Sequence, residues 1–312
     1  MKKDTSRRDF LRVAAAGALG AFILPHQGFA GSAEQKPGKK SRKLKKFGIG
    51  LQLYTIRQAM TADAPGSLKK VAEMGYTNLE LAGYADRKFY GYAPLEFKKM
   101  VNDLGMKILS SHTQVEAAGI TLDNAKIMAE DHAQLGVKYC IQPWVVAEAR
   151  NIESYKKMVA DWNTVAAIMK ENGMLFGYHN HNFEFDNING VVPYFDIFLP
   201  GLDKDLVTME LDLFWTTKAG QNPVDIIKKY PGRFQLFHMK DMFTNEAPYY
   251  TTDGVNDFAP VGAGVINFKE ILAAKDIAGM KYMIVEQDST KDGKPFDAIK
   301  TSITNLTTKI LV

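Results

Sequence analysis

From Phe47 onward the chain repeats one pattern of apolar and polar positions. A helix-like stretch ends in glycine, a short apolar run follows, and polar residues gather where that run stops. The clearest examples are AEMGYTNLELAG (72–83), NDLGMKILSSHT (102–113), AQLGVKYCIQPW (133–144), KENGMLFGYHNH (170–181) and AGMKYMIVEQD (278–288). Each glycine suits the position just past a helix, where positive φ carries no Cβ penalty. LPGLDKDLVTMELDLFW (199–215) and KYPGRFQLFHMKDM (229–242) keep the rhythm with Pro-Gly stops, and FGIGLQLYTIR (47–57) adds a first run. The pattern predicts eight strands with helices over 65–74, 94–104, 122–135, 151–172, 222–230, 267–274 and 295–309. Asp123, Asn222 with Pro223, and Asn267 are the expected caps. Residues 186–205 leave room for one short helix.

Strict alternation of β and α, with apolar strands covered on both faces, implies a parallel sheet. Eight such units predict a single-domain α/β fold over 47–312, the (β/α)8 TIM barrel. A doubly wound open sheet is the alternative, but no Gly-rich phosphate fingerprint follows the first strand.

Active sites of such barrels lie at the C-terminal strand ends. In chain order those ends carry Gln52 and Tyr54, Glu80, His112, Gln142 and Trp144, His179 and His181, Glu210 and Asp212, His238 and Lys240, and Glu286 and Asp288. The stretch Met174–Phe185, MLFGYHNHNFEF, stands out: His179 and His181 are two apart, hence on one face of a strand, and Glu184 follows. Asp212, His238 and Glu286 end three successive strands. His, Asp and Glu together offer mixed nitrogen and oxygen ligation for one divalent ion: Mn, Co, Zn, Fe or Mg. Glu80 and Glu210 fit equally as substrate groups or as ion-pair partners at the barrel rim. Lys240 has Asp288, Glu210 or a substrate oxygen as partners. Tyr54, Trp144, Phe183 and Trp215 are candidates for stacking on a sugar ring.

FGIGLQLYTIR, YTNLELAGY, YHNHNFEF, ELDLFW, FHMKDM, VGAGVINF and IVEQD together resemble the xylose isomerase-like sugar isomerase/epimerase superfamily, over about residues 46–312. The resemblance implies one divalent metal held by strands five to eight, with Asp212, His238 and Glu286 on strands six, seven and eight. On strand five many relatives read Glu-Asn-His where this chain reads His179-Asn180-His181, so His179 replaces the usual glutamate and His181 is the alternative ligand. One of the two glutamates that pass a proton across C3 in the epimerase pattern is thus missing.

The overall charge of +4 hides two unlike parts. Residues 1–46 hold twelve basic and three acidic residues, which leaves 27 basic and 32 acidic beyond, a net of −5. The barrel therefore lacks the basic footprint of a nucleic-acid binder, and a DNA-repair endonuclease is disfavoured. Ser6-Arg7-Arg8-Asp9-Phe10-Leu11-Arg12, the uncharged Val13–Pro25 and the small residues near Ala30 resemble a twin-arginine export signal over 1–30. Residues 31–46 read as a flexible basic linker. The expected location is the periplasm, with no stable membrane insertion once the signal is removed. Cys140 is the only cysteine, so no intrachain disulfide is expected.

These readings converge on an exported, metal-dependent isomerase/epimerase that removes a proton next to the carbonyl of a non-phosphorylated sugar or keto-sugar. Glu286 is the expected base, and His179, His112 or Lys240 handle the returning proton. Gln52, Tyr54, Glu80, Gln142, Trp144, Glu184 and Trp215 are the expected substrate contacts. β-Elimination on a 3-keto-glycoside and a non-catalytic sugar-binding barrel are the alternatives; a homo-oligomer is compatible with each.

Overall fold

A computed structural model describes residues 48–113 and 119–312. The signal expected over 1–30 and the linker over 31–46 lie outside them. Eight strands close into a barrel in chain order: β1 (Ile49–Gln52), β2 (Asn78–Leu81), β3 (Lys107–His112), β4 (Tyr139–Gln142), β5 (Leu175–His179), β6 (Val207–Asp212), β7 (Leu236–Met239) and β8 (Tyr282–Val285). Every neighbouring pair is parallel, and β1 pairs with both β2 and β8, so no edge is left open.

The helices fall where the pattern puts them: α1 (Ala64–Glu73), α2 (Pro94–Asp103), α3 (Ala125–Leu135), α4 (Ile152–Glu171), α5 (Pro223–Lys229), α6 (Phe268–Ala273) and α7 (Pro295–Asn305). Between β5 and β6 there are only the helical turns Tyr194–Phe198 and Leu199–Gly201. Gly75, Gly105, Gly136, Gly173 and Gly279 all take φ between +74° and +96°, as their place after a helix requires. Asn222 and Asn267 cap α5 and α6 through the backbone N–H groups of Val224 and Glu270. Asp123 does not cap α3. The boundary residue is Asn124, whose Oδ1 accepts from Thr121 N at 2.8 Å and so closes the preceding turn.

The main apolar core lies between strands and helices; on β5, for example, Phe176 and Tyr178 face Trp162 of α4. A smaller core of Leu109, Tyr139, Ile141, Leu236 and Ile284 fills the barrel interior. There the strands approach so closely that a Cβ on Gly177 would lie 2.4 Å from Ile141 Cδ1. Cys140 is buried, and its thiol is pushed up to about 12 by that burial. Among the described residues no helix is long and apolar enough to cross a membrane.

Candidate active site

The period of two along a strand turns every second side chain inward. On β7 this face reads Leu236, His238 and, just past the strand, Lys240. On β8 it reads Tyr282, Ile284 and then Glu286; on β6 it reads Thr208, Glu210 and Asp212. Each inward face thus ends in a group that can carry charge. Above them lies a cavity of about 540 Å³, walled by Tyr54, Trp144, His181, Trp215 and Phe258 and reached by Arg57, His112, His179, Lys240, Glu286 and Asp288.

Ligand atoms of His179, Asp212, His238 and Glu286 lie within 4.8 Å of one another, all buried. Lys240 Nζ sits against this outer cluster, 2.7 Å from Glu286, 2.9 Å from Asp288 and 3.2 Å from Asp212 Oδ2. Burial alone pushes the Glu286 carboxyl up, but Lys240 and His238 outweigh it and hold it well below the usual carboxylate range. Desolvation likewise opposes charge on Lys240, and the three carboxylates outweigh it and keep the ammonium protonated. Asp288 is pushed up to about 6 by burial. Burial and nearby positive charge hold His179 and His181 neutral.

β5 ends at His179, and the chain then bends into the turn Phe183–Phe185. The two imidazoles therefore part company. His179 enters the cluster, with Nδ1 3.0 Å from Glu210 and Nε2 3.8 Å from Asp212. His181 instead faces Trp144, Phe183 and Trp215 at ring-centroid distances of 4.6, 5.5 and 5.3 Å, and its Nδ1 is buried without a partner.

Beneath the outer cluster Glu80 and Glu210 are fully buried among His112, His179 and His238. They are interior groups, and the rim position open to them in the sequence is not where they lie. Burial opposes charge on His112, but Glu80 and Glu210 outweigh it and raise its imidazolium to about 9. Glu210 is itself pushed up to about 7 by burial and by the charge of Glu80.

Of the expected substrate contacts, Tyr54, Trp144 and Trp215 reach the cavity, while Gln52, Glu80, Gln142 and Glu184 are not among its lining residues. These four are committed to partners within the protein. Gln52 donates to Glu80 at 3.0 Å and accepts from Tyr54 N at 3.0 Å. Gln142 accepts from Ile120 N at 2.8 Å and donates to Trp144 O at 2.7 Å, which ties down the loop bearing that indole. Glu184 accepts from the Tyr178 hydroxyl and from His181 N, and so fixes the bend after β5.

Arg57 and Phe258 were not expected at the cavity. Arg57 follows β1 within a turn, with its guanidinium 4.1 Å over the Tyr54 ring. Phe258 comes from a two-stranded ribbon, Asp241–Met242 with Phe258–Ala259, too short to leave a periodic signal. In the Gly-rich run after it, the N–H groups of Gly262, Gly264 and Ile266, joined by that of Met242, all donate to the Asp241 carboxylate at 2.9–3.1 Å. This ring of amides holds an anion that the chain itself supplies.

Comparison with known proteins follows the same lines. The family model described as "Xylose isomerase-like TIM barrel" matches residues 68–308. Inosose dehydratase of Clostridium perfringens is 26% identical over 147 residues, which cover 44% of this chain and 48% of that protein. The chain thus spans about half the length of the curated relatives it matches. A sugar phosphate isomerase/epimerase structure from Parabacteroides distasonis superimposes with a TM-score of 0.71 at 30% identity, covering 85% of this chain and 99% of that one. An IOLI protein with a bound zinc atom shares the fold, with a TM-score of 0.67 at 20% identity over 85% of this chain and 98% of that one. From the family match, the barrel and the strand-end residues, the chain belongs to the xylose isomerase-like TIM barrel family.

Proposed function

We propose that this chain is an isomerase/epimerase-type enzyme that removes the proton next to the carbonyl of a non-phosphorylated sugar or keto-sugar. The observation that carries this reading is an ionised Glu286 on the wall of an aromatic-lined cavity, in contact with the Lys240 ammonium and beside a buried His/Asp/His cluster. Trp144 and Trp215 offer flat apolar faces to a pyranose. Glu286 accepts the proton. Lys240 Nζ, already among three carboxylates, can donate a hydrogen bond to the oxygen on which charge develops. The neutral His181, which lines the cavity and whose Nδ1 has no hydrogen-bond partner, is placed to move a second proton.

The donor set fits a divalent ion. His179, Asp212, His238 and Glu286 would hold it: all four are buried, and their ligand atoms lie within 4.8 Å of one another. The mixed nitrogen and oxygen donor set accepts Mn, Co, Zn, Fe or Mg. When bound, such an ion supplies a Lewis acid for the substrate's carbonyl and neighbouring hydroxyl oxygens. His179 is favoured over His181 as the strand-five ligand because its ring enters the cluster.

A second reading, β-elimination, is supported by His112. It reaches the cavity as an imidazolium maintained by Glu80 and Glu210, and so can donate a proton to a leaving group. The similarity to an inosose dehydratase supports the same reading. Both outcomes begin with the same proton abstraction. Incubation with free sugars, inososes and 3-keto-glycosides in D₂O, followed by NMR, separates them. Exchange at a carbon next to the carbonyl with retention of all oxygens marks isomerisation or epimerisation; loss of a substituent marks elimination; no exchange with any of the panel sinks the proposal.

Export remains part of the proposal, supported by the SRRDFLR run at Ser6–Arg12. Replacement of both Arg7 and Arg8 by Lys is expected to leave the protein in the cytoplasm on fractionation. The absence of a free amide cradle at Gly262–Gly264 supports a substrate without phosphate at that position.

A further inference from the structure

Three positively charged side chains reach the cavity: Arg57, His112 and Lys240. Two of them are balanced by the protein itself. Lys240 lies within 3.2 Å of Asp212, Glu286 and Asp288, and His112 lies within 3.1 Å of Glu80 and Glu210. Arg57 is different. Among the described residues it forms no ion pair, and its partners are two backbone carbonyls and an aromatic ring.

Those partners fix the guanidinium and leave one edge of it open. Nη1 donates to Tyr54 O at 2.9 Å and to Asp288 O at 3.0 Å, which uses both of its protons. One face lies over the Tyr54 ring, 4.1 Å from its centroid. A guanidinium carries five N–H groups in a rigid plane, so one on Nε and two on Nη2 remain. Among the described residues none of these has a hydrogen-bond partner. The Nε–Nη2 edge presents two parallel N–H groups, spaced to meet the two oxygens of a carboxylate. Arg57 follows β1, which pairs with β8, and β8 leads to Glu286. The open fork and the proposed base therefore share one side of the cavity.

We infer that Arg57 anchors the substrate and that the substrate is a sugar acid, such as a hexuronate, whose carboxylate pairs side-on with Nε and Nη2. The inference deepens the proton-abstraction reading and rests on its placing the sugar in this cavity. The planar match favours a carboxylate over a phosphate. The ring of amides at Gly262–Gly264, already filled by Asp241, points the same way. Trp144 and Trp215 then cover the faces of the sugar, and Arg57 fixes which end of it lies beside Glu286.

The test is calorimetric titration of the full-length protein with D-glucuronate, D-galacturonate and D-mannuronate. Each is run beside the neutral hexose and the hexose 6-phosphate of the same configuration. At least one hexuronate is expected to bind about tenfold more tightly than its hexose, the range of a charge-assisted pair. Arg57→Gln is expected to abolish that margin. Arg57→Lys, which keeps the charge but not the fork, is expected to keep only part of it. No margin in the wild type, a margin that survives Arg57→Gln, or a hexose 6-phosphate preferred to the hexuronate overturns the inference. If Arg57→Gln fails to fold, as judged by its thermal transition, Arg57→Lys decides, and a full margin there overturns the fork. Deuterium exchange in D₂O keeps the two readings apart. A hexuronate margin without exchange at any carbon leaves the anchor standing and removes the proton-abstraction reading. Exchange on neutral hexoses with no hexuronate margin does the reverse.

Discussion

Within the barrel the strands turn Leu109, Tyr139, Ile141, Leu236 and Ile284 into an apolar interior, whereas at and just past their C-terminal ends they turn in His112, Glu210, Asp212, His238 and Glu286. Leu236 and His238 are neighbours on one face of one strand, as are Ile284 and Glu286. The lower half excludes water and gains stability from apolar burial. The upper half places buried charge that only opposite charge, imidazoles or a cation can balance, at a cost in desolvation. One strand thus carries a stability task at its base and a chemical task at its tip, and substitutions at the two levels should separate cleanly.

The largest effect is expected from Glu286→Gln at the tip. It is isosteric and keeps the fold, and should lower the rate of solvent–proton exchange by about 10³-fold, in the range for loss of a general base. The check is deuterium incorporation beside an unchanged thermal transition; comparable exchange in the variant would move the base elsewhere.

At the base, Leu236→Ala should do the reverse. Its side chain is fully buried in the inner core, so the loss in unfolding free energy is expected to be about 2–5 kcal/mol, with turnover per folded molecule little changed. Urea unfolding and active-site titration measure the two quantities. A large turnover loss at full folding would show that the halves are not independent.

A smaller effect sharpens the comparison through a histidine outside the barrel interior. His132 on α3 is fully buried, its Nδ1–H donating to Met128 O at 2.7 Å while Nε2 accepts from Thr113 Oγ1 at 3.0 Å. Burial lowers it to about 4, against the ordinary 6.5, so it is neutral where His112 is an imidazolium. The unfolded chain binds a proton there that the folded one rejects. Stability is therefore complete above about pH 6.5 and falls as pH drops toward 4, by roughly 3 kcal/mol. His132→Gln is expected to flatten that part of the stability–pH curve.

Much of this architecture was legible before the fold was seen. Glycines after helices, apolar runs of strand length and polar residues at their ends placed all eight strands, and Asp212, His238 and Glu286 were readable as neighbours because they end successive strands. Other features were not. Asp123 looked like the cap of α3 because acidic residues cap well, but Asn124 closes the turn before it. Glu80 and Gln52 looked like substrate groups because they end strands, yet they bond each other beneath the cavity. Glu184 stood near the paired histidines in sequence and holds the bend of their loop.

What the sequence by itself determined was the order of elements and which side chains alternate inward, because both follow from local periods of 2 and 3.6 along the chain. Depth and partnership were decided by barrel closure alone. His238 meets Glu80 across 158 positions and His112 meets Glu210 across 98, and no local pattern records such distances. Strand stagger sets which inward residue sits at the cavity wall and which lies below it, and that stagger exists only once the eighth strand has paired with the first.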